Sequence, residues 1–275
     1  MTESAAHHYV MGHDDRERRR LQLQGSILNP ITTQLFSRAG IGPGQHVLDV
    51  GSGVGDVALI AARLVGPNGS VTACDMDADA LGVLERRAAA EGLSNVSTIT
   101  GDVHAIGLSR TFDAVTGRHI LIHVPDPLEL VRTVAGLVKQ GGVVVFEEYD
   151  FSVVHAGYPS TEILQHVMSV FRDFFAKARH GNMGTRLPKL FSDAGLTDIE
   201  ARAEYPIGLG TPDSPFHEWI AESMRSILGR AVAAGIPGAS AIDIDNLQQS
   251  LRDATVASGA AMPAPAMVGT IGRVR

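Results

Sequence analysis

The chain has 275 residues, of which 44% are hydrophobic and 19% are charged, a balance typical of a folded globular protein and not of a disordered chain. Its 30 acidic side chains outnumber the 23 basic ones and give a net charge of -7, which argues against a partner as negatively charged as nucleic acid. The single cysteine, Cys74, excludes an intrachain disulfide and a zinc site built from several cysteines.

The start of the chain does not resemble a targeting segment. The run MTESAAHHYVMGHDDRERRR lacks the apolar stretch of about 7–15 residues that a secretory signal requires. No later window approaches the roughly 18 consecutive apolar residues of a membrane span. The sequence therefore predicts a cytoplasmic protein with no membrane insertion.

The first forty residues have a helical pattern. Apolar residues recur at helical spacing at Leu21, Leu28, Ile31, Leu35 and Phe36. Asn29-Pro30 is typical of an N-cap followed by proline at the first helical position, which predicts that the helix bends and restarts there. Gly40 is expected to end it.

Short apolar strands then alternate with helices. The predicted strands are His46–Val50, Ser70–Cys74, Val96–Thr100, Phe112–Thr116 and Val143–Glu147. The predicted helices between them are Val57–Val65, Asp79–Gly92 and Asp126–Lys139. This alternation implies parallel strands joined by right-handed crossovers, with helices on both faces of the sheet.

Two helical stretches interrupt the alternation after Asp150. The first holds an amphipathic helix between Ser160 and His180, and the second, about Thr211–Met262, holds helices at Phe216–Ala234 and about Asp243–Val256. The sheet pattern returns with a helix at Thr185–Ala194 and strands at Thr197–Pro206 and Ala266–Val274. We therefore expect an α/β fold, a doubly wound, Rossmann-like sheet of seven mostly parallel strands with helical cap insertions.

This pattern also predicts how the chain is organised. Residues 1–40 form a helical segment that covers the site, and residues 41–150 form a core completed by residues 182–210 and 266–275. Residues 151–181 and 211–265 form a helical cap over the carboxyl ends of the strands. In open α/β sheets, ligands bind at that edge.

The stretch Val47–Asp56, VLDVGSGVGD, is the most informative for function. A strand that carries Asp49 is followed by glycines 51, 53 and 55 and then by a helix. Glycines allow a sharp turn and a close approach to a ligand, although three glycines alone equally fit a tight turn without a ligand. The third glycine of a dinucleotide fingerprint is replaced by Asp56, and a carboxylate at Asp49 suits a cationic amino group better than a pyrophosphate.

Acidic residues also follow the next two strands. Asp75 ends the second strand, where it is placed to bond ribose hydroxyls, and Met76 beside it is placed to pack on an adenine face. Asp102 follows the third strand and is placed to accept from an adenine amino group. Three acids after three successive strands therefore fit a ligand with an amino-acid end, a ribose and an adenine.

With these residues in place, the chain resembles the class I S-adenosylmethionine-dependent methyltransferases, in particular the bacterial small-molecule branch related to the ubiquinone and menaquinone biosynthesis enzymes. The matching segments are VLDVGSGVGD, VTACDMD, ITGDVHAI, FDAVTGRHILIHVPDP, KQGGVVVFEE and GTRLPKLFSDAGL, with YVMGHDDRERRRLQLQ near the start. They cover most of residues 9–206.

The resemblance implies S-adenosyl-L-methionine as cofactor, S-adenosyl-L-homocysteine as product and a methyl transfer by in-line displacement. The cofactor-binding residues that it implies are Tyr9, Gln24, Asp49, Gly51, Ser52, Gly53, Gly55, Asp75, Met76, Asp102, Val103 and Arg118. Ser52 departs from the pattern, since many relatives have Cys or Ala there.

Candidate catalytic residues follow the fourth and fifth strands. His119 and His123 lie beside the expected methyl position, and either is equally compatible with a structural role. Glu147 and Glu148 end the fifth strand on opposite faces, and of the two Glu148 is taken as the catalytic candidate. Scattered histidines and a single cysteine predict no metal site.

The helical stretches suggest what kind of acceptor is methylated. Large apolar residues expected to roof the site are Met168, Met183, Phe216, Trp219 and Met224, and the stripe Phe171, Phe174 and Phe175 reads more readily as core than as pocket. Such a roof favours a small, apolar or aromatic metabolite with O- or C-methylation over N-methylation. We expect a small-molecule substrate and no nucleic-acid partner, and a homodimer is left open.

Three alternatives compete with this interpretation. One is an NAD(P)-dependent oxidoreductase on a similar sheet, against which Asp49 and Asp56 count. Another is a regulatory protein that binds the cofactor without turnover. The third is a cyclase-like enzyme that keeps the cofactor and transfers no methyl group.

Overall fold

A seven-stranded sheet organises the computed structural model, which describes residues 15–109, 111–152, 154 and 156–275, with side chains from residue 20 onward except that of residue 22. Its strands are β1 (His46–Val50), β2 (Ser70–Asp75), β3 (Val96–Thr100), β4 (Phe112–Arg118), β5 (Val138–Asp150), β6 (Thr197–Glu204) and β9 (Ala266–Arg273). A separate pair is formed by β7 (Ile207–Gly208) and β8 (Met262–Pro263).

The strand order of the main sheet is β3-β2-β1-β4-β5-β9-β6. The strands β3, β2, β1, β4 and β5 pair in parallel, and β9 runs antiparallel to both of its neighbours, β5 and β6. The predicted α/β sheet of seven mostly parallel strands is therefore confirmed. The chain reverses its direction of travel across the sheet between β1 and β4, so a ligand crevice is expected at the carboxyl ends of these two strands.

Eight α-helices are found in the described part of the chain. They are α1 (Asp15–Ala39), α2 (Asp56–Val65), α3 (Ala78–Ala90), α4 (Pro127–Leu137), α5 (Glu162–Lys177), α6 (Met183–Asp193), α7 (Pro215–Ala233) and α8 (Leu247–Ser258), with a 3₁₀ turn at Ala239–Ala241. None of these helices is both long enough and apolar enough to cross a lipid bilayer.

Successive residues of the central strands face opposite layers of helices. Val47 packs in one hydrophobic cluster with residues of α1, α2 and α3, whereas Leu48 packs in another with residues of α4 and α6. Val145 and Phe146 of β5 divide in the same way. Because both faces of the sheet are covered, the strands consist of nearly continuous apolar runs, which explains sequences such as HVLDV and VVVF.

A third hydrophobic cluster lies apart from the two sheet faces. It joins residues of α5, α7 and α8 to Leu28 of α1 and to Tyr149 and Phe151 at the end of β5. The helical stretches thus share one apolar core beside the end of β5. The division of the chain into a sheet core and a cap stays a prediction.

The predicted restart of the first helix is wrong. The helix α1 runs unbroken through Pro30, and Gly40 follows its last residue in a left-handed conformation with φ of 81°. Pro30 is exposed, while Leu28 and Leu35 on either side of it are buried. Burial of both halves of the helix outweighs the one backbone hydrogen bond that proline removes.

The strand β5 is longer than the sequence predicts. It begins at Val138, directly after α4 ends at Leu137, and it extends to Asp150 instead of stopping at Glu147. Its residues from Val143 to Asp150 all pair with β9. This extension carries Glu148 and Tyr149 into the carboxyl edge of the sheet.

Two helical glycines give a test of the packing between α1 and α2. A Cβ atom on Gly25 would lie 2.4 Å from Oδ2 of Asp56, whereas one on Gly229 of α7 would meet nothing within 4 Å. We expect Gly25→Ala to destabilise the fold by about 1–3 kcal/mol through overpacking, and Gly229→Ala to stabilise it by about 0.5–1 kcal/mol through helix propensity. Urea unfolding measures both, and equal effects of the two changes would contradict the packing.

Candidate functional site

A cavity of about 1600 Å³ opens at the carboxyl edge of the sheet, among the segments that follow β1, β2, β3 and β4. The residues Phe151, Phe171 and Trp219 line its opposite side. Pockets for a single drug-sized ligand usually measure roughly 300–1,000 Å³. The cavity is therefore large enough for two ligands bound side by side.

The glycine-rich loop between β1 and α2 forms one wall. Gly51, Ser52 and Gly53 line the cavity, and both glycines have positive φ, 69° and 50°. A Cβ atom on Gly51 would lie 2.7 Å from Cδ1 of Ile120, so glycine is required for the loop to approach the segment after β4. Gly55 does not line the cavity, because it packs against Leu84 of α3.

Asp49 lies behind this loop and does not line the cavity. Its side chain is buried, and Oδ1 accepts a hydrogen bond from the Thr116 hydroxyl at 3.0 Å. Oδ2 has no hydrogen-bond partner among the described residues. Burial raises the pKa of Asp49 from 3.8 to about 7, against the lowering effect of Thr116 and Arg118.

The acids that follow β2 and β3 line the cavity as the sequence predicts. Oδ2 of Asp75 accepts from the Gly53 amide at 2.7 Å, and Oδ1 accepts from the Asp77 amide at 2.9 Å. Each carboxylate oxygen has a second lone pair, so Asp75 retains the capacity to bond two hydroxyl groups. Asp102 and Met76 are exposed at the same wall, and Val103 is buried in it.

Arg118 connects this wall to the N-terminal helix. Its side chain is 6% exposed and donates from Nη1 to Oδ1 of Asn29 at 3.1 Å and to the hydroxyl of Thr32 at 2.9 Å. Its Nη2 lies 3.6 Å from Oδ2 of Asp56. Arg118 lines the cavity, but its guanidinium is largely engaged in holding α1 against α2.

The two glutamates at the end of β5 lie outside the cavity lining. Oε2 of Glu147 accepts from the Thr32 hydroxyl at 2.5 Å, and Oε1 of Glu148 accepts from the Leu121 amide at 2.6 Å. Burial raises the pKa of both carboxyls, that of Glu148 to about 8. The structure does not place Glu148 at the cavity as a catalytic residue. Side chains alternate between the two faces of a strand, and that of Glu148 is directed toward the backbone of the segment after β4.

His119 lines the cavity with its ring held in one tautomer. Arg20 donates to Oε1 of Gln24 at 2.7 Å, which leaves Nε2 of Gln24 to donate to Nδ1 of His119 at 3.0 Å. Nε2 of His119 therefore carries the hydrogen and points to the Met267 sulfur at 3.4 Å. Burial, followed by the charge of Arg118, lowers the pKa of His119 well below 6.5.

Because both ring nitrogens of His119 are engaged, it is poorly placed to act as a general base. Its ring stacks on Tyr149 with centroids 4.2 Å apart, so it is well placed to fix the position of that phenol. The predicted cofactor residue Gln24 also lines the cavity. It is the middle group of a hydrogen-bonded relay formed by Arg20, Gln24 and His119. The sequence contains no local signal for the relay, since Gln24 and His119 are 95 positions apart.

His123 is the second histidine of the cavity wall. Burial, and then the charges of Arg230 and Arg20, lower its pKa from 6.5 to about 4. The ring is therefore neutral at pH 7 and only a weak base.

The other side of the cavity is apolar. Its lining side chains include Phe151, Met168, Phe171, Phe174, Phe175, Trp219, Ile220 and Ile227. The phenylalanine stripe of α5, which the sequence suggested was core, faces this space. Of the predicted roof, Met168 and Trp219 line it, whereas Met183, Phe216 and Met224 are buried and do not line it.

The sequence-predicted cofactor residue Tyr9 lies outside the described residues. Within the described part of the chain, no group of three or more His, Cys, Asp and Glu side chains is arranged to hold a metal ion.

The raised pKa of Asp49 leads to a test by unfolding. The folded state holds a proton on Asp49 between pH 3.8 and about 7 that the unfolded chain releases, so this contribution to stability is lost as the pH rises through that range. Asp49→Asn should therefore gain stability relative to wild type by about 2–3 kcal/mol between pH 5 and pH 8.

Urea unfolding at the two pH values measures this difference. Asp253→Asn, at an exposed position of α8, is the matched control and should differ from wild type equally at both. A stability difference for Asp49→Asn that is constant with pH would show that Asp49 is ionised in the folded protein.

Comparison with known proteins identifies the family. A family model described as a methyltransferase domain matches residues 41–195. The demethylmenaquinone methyltransferase of Halalkalibacterium halodurans is 30% identical over 185 residues, which are 61% of this chain and 74% of that protein. The ubiquinone biosynthesis O-methyltransferase of Vibrio parahaemolyticus is 37% identical over 122 residues, 41% of this chain and 50% of that protein.

A solved structure shows the same fold. Phosphoethanolamine N-methyltransferase 2 of Haemonchus contortus, in complex with S-adenosylhomocysteine, aligns with a TM-score of 0.53 at 19% identity, over 89% of this chain and 52% of that chain. This chain thus spans about half of that protein. Because the methyltransferase model covers more than half of the sequence, the chain belongs to the S-adenosylmethionine-dependent methyltransferases.

Proposed function

We propose that this methyltransferase acts on an oxygen or carbon atom of a small, largely apolar or aromatic metabolite. One observation carries the proposal: a single cavity has carboxylates and backbone amides along one side and aromatic and aliphatic side chains along the other. The quinone-biosynthesis names of the relatives support the same class of acceptor. Membership of the family also removes the oxidoreductase alternative.

The residues of the first side fit S-adenosylmethionine. We assign the ribose hydroxyls to Asp75, whose oxygens keep spare lone pairs, and the adenine to Met76, Asp102 and Val103. Asp49 has an orphaned oxygen just behind the glycine loop, so its charge favours a cationic ligand in front of that loop. When bound there, the cofactor supplies a methyl group made electrophilic by a sulfonium.

The chain itself contributes orientation and exclusion of water. Holding two reactants in line is worth up to roughly 7–11 kcal/mol in well-oriented systems. The rigid loop Gly51–Gly53 fixes one ligand, and the aromatic wall that includes Phe171 and Trp219 packs on the other and keeps water out. The relay of Arg20, Gln24 and His119 holds Tyr149 between the two sides.

None of the three catalytic candidates is placed to act as a strong general base in the cavity. His119 has both nitrogens engaged, His123 has a pKa of about 4, and Glu148 lies behind the wall. An acceptor that ionises readily, such as a phenol or an enol, suits this environment because the cations Arg20 and Arg230 stabilise its anion. A protonated amine would be repelled by the same cations, which favours O- or C-methylation.

Replacement of Asp75 tests the cofactor assignment. Asp75→Ala should weaken S-adenosylhomocysteine binding by about 10- to 100-fold, because the ribose hydroxyls lose a charged acceptor worth roughly 1.5–3 kcal/mol. Isothermal titration calorimetry measures the affinity, with Asp253→Ala as a surface control. Unchanged affinity in Asp75→Ala would show that the ribose is held elsewhere.

The acceptor class is tested by turnover. Purified protein with S-adenosylmethionine should methylate members of a panel of quinols, phenols and enols, and mass spectrometry should locate the methyl group on oxygen or carbon. Methylation of amines alone, or of protein or RNA alone, would overturn the proposal. Cofactor binding without methylation of any panel member would favour the regulatory or cyclase-like alternatives.

A further inference from the structure

The helix α7 presents one continuous face to the apolar side of the cavity. The lining residues on it are Trp219, Ile220, Ser223, Ile227 and Arg230. Trp219 and Arg230 are separated by three helical turns and so lie on the same face, about 16 Å apart along the axis. The face is therefore apolar in the middle, with an indole at one end and a guanidinium at the other.

Arg230 is an unusual cation for this position. It is half-buried, its guanidinium lies 5.6 Å from the centroid of Phe174, and Nη2 donates to the Ser226 carbonyl at 3.2 Å. Among the side chains that the structure describes, no carboxylate forms an ion pair with it. Arg118, in contrast, is paired with Asp56.

A half-buried guanidinium without a carboxylate partner costs free energy unless an anion or several acceptors reach it. Arginine has five N–H donors, and the one hydrogen bond to the Ser226 carbonyl leaves most of them available. Arg230 lines the cavity, so these N–H donors are available to a ligand bound there.

His123 lies close enough to Arg230 for that charge to lower the pKa of the imidazole, and two further buried groups of the cavity are hydrogen-bond donors. The Trp219 indole N–H and the Tyr149 hydroxyl are in side chains only 4% and 8% exposed, and neither has a partner among the described residues. The carboxylates that line the cavity follow β1, β2 and β3 or begin α4, and none lies on α5 or α7; they are Asp56, Asp75, Asp77, Asp79, Asp102, Asp126 and Glu129.

We propose that Arg230 forms a subsite for an anionic oxygen of the methyl acceptor, either a carboxylate or an ionised phenol or enol, with Trp219 and Tyr149 donating to further oxygens of the same molecule. The inference rests on the proposed function, since the acceptor shares the cavity with the cofactor. It narrows the acceptor to an aromatic or apolar molecule that is rich in hydrogen-bond-accepting oxygens and carries one negative charge.

Matched naphthalene probes test the charge preference. In calorimetry with protein saturated by S-adenosylhomocysteine, wild type should bind 2-naphthoate at least about tenfold more tightly than the neutral 2-naphthamide. Arg230→Met should reduce this preference to within about threefold, and Arg230→Lys should keep part of it because the charge remains. Arg172→Met, at an exposed arginine of α5 paired with Asp173, should behave as wild type.

A third probe separates the two sources of the anion. If the subsite takes an ionised phenol, the absorption spectrum of bound 2-naphthol should show a phenolate at a lower pH in wild type than in Arg230→Met. If it takes a carboxylate, the naphthoate preference should appear without that shift. Both results support an anionic oxygen at Arg230.

Three results would overturn the subsite: equal binding of naphthoate and naphthamide by wild type, a preference that survives in Arg230→Met, or no binding of any naphthalene probe. Weaker S-adenosylhomocysteine binding by Arg230→Met would also overturn it, by assigning Arg230 to the cofactor. Failure of the proposed function would look different, as wild type would methylate only amines, protein or RNA, or no member of the acceptor panel.

Discussion

Burial of carboxyl groups at the carboxyl edge of the sheet is the constraint on which the rest of the site depends. Asp49, Glu147 and Glu148 all have raised pKa values because the charged forms lose their hydration. Each accepts a hydrogen bond from a different part of the chain, from the hydroxyl of Thr116, the hydroxyl of Thr32 and the amide of Leu121, respectively. These bonds fix β1, β5, α1 and the segment after β4 relative to one another.

The same burial gives the cavity its electrical polarity. One oxygen on each of the three carboxyls is left without a partner among the described residues, and of the three only Asp49 lies behind the glycine loop of the cavity, where its charged form favours a positively charged ligand. Across the cavity, the orphaned groups are donors and a guanidinium, which favours an oxygen-rich, negatively charged acceptor. A cationic methyl donor and an anionic acceptor would therefore be drawn to opposite walls of one cavity.

The sequence predicts those parts of the molecule that local patterns determine. Apolar runs bounded by turns predict the strands, and their alternation with helices predicts that they run parallel, so Asp75 and Asp102 are expected at the carboxyl edge, where the structure has them. Patterns failed where distant side chains decide the outcome. The alternation of side chains along a strand indicates that Glu147 and Glu148 face opposite sides of the sheet, but only the packed structure shows that neither reaches the cavity. The engagement of His119, just after β4, depends on Gln24 of α1, 95 positions away in the sequence.

Proton release on cofactor binding tests the central claim, that the buried carboxyl of Asp49 becomes charged when a cationic ligand binds. Calorimetry of S-adenosylmethionine binding near pH 7, repeated in buffers of different ionisation enthalpy, counts the protons exchanged. Because Asp49 has a pKa of about 7 before the cation arrives, wild type should release a larger fraction of a proton than Asp49→Asn. Equal proton exchange by the two proteins, or net uptake specific to wild type, would contradict the account.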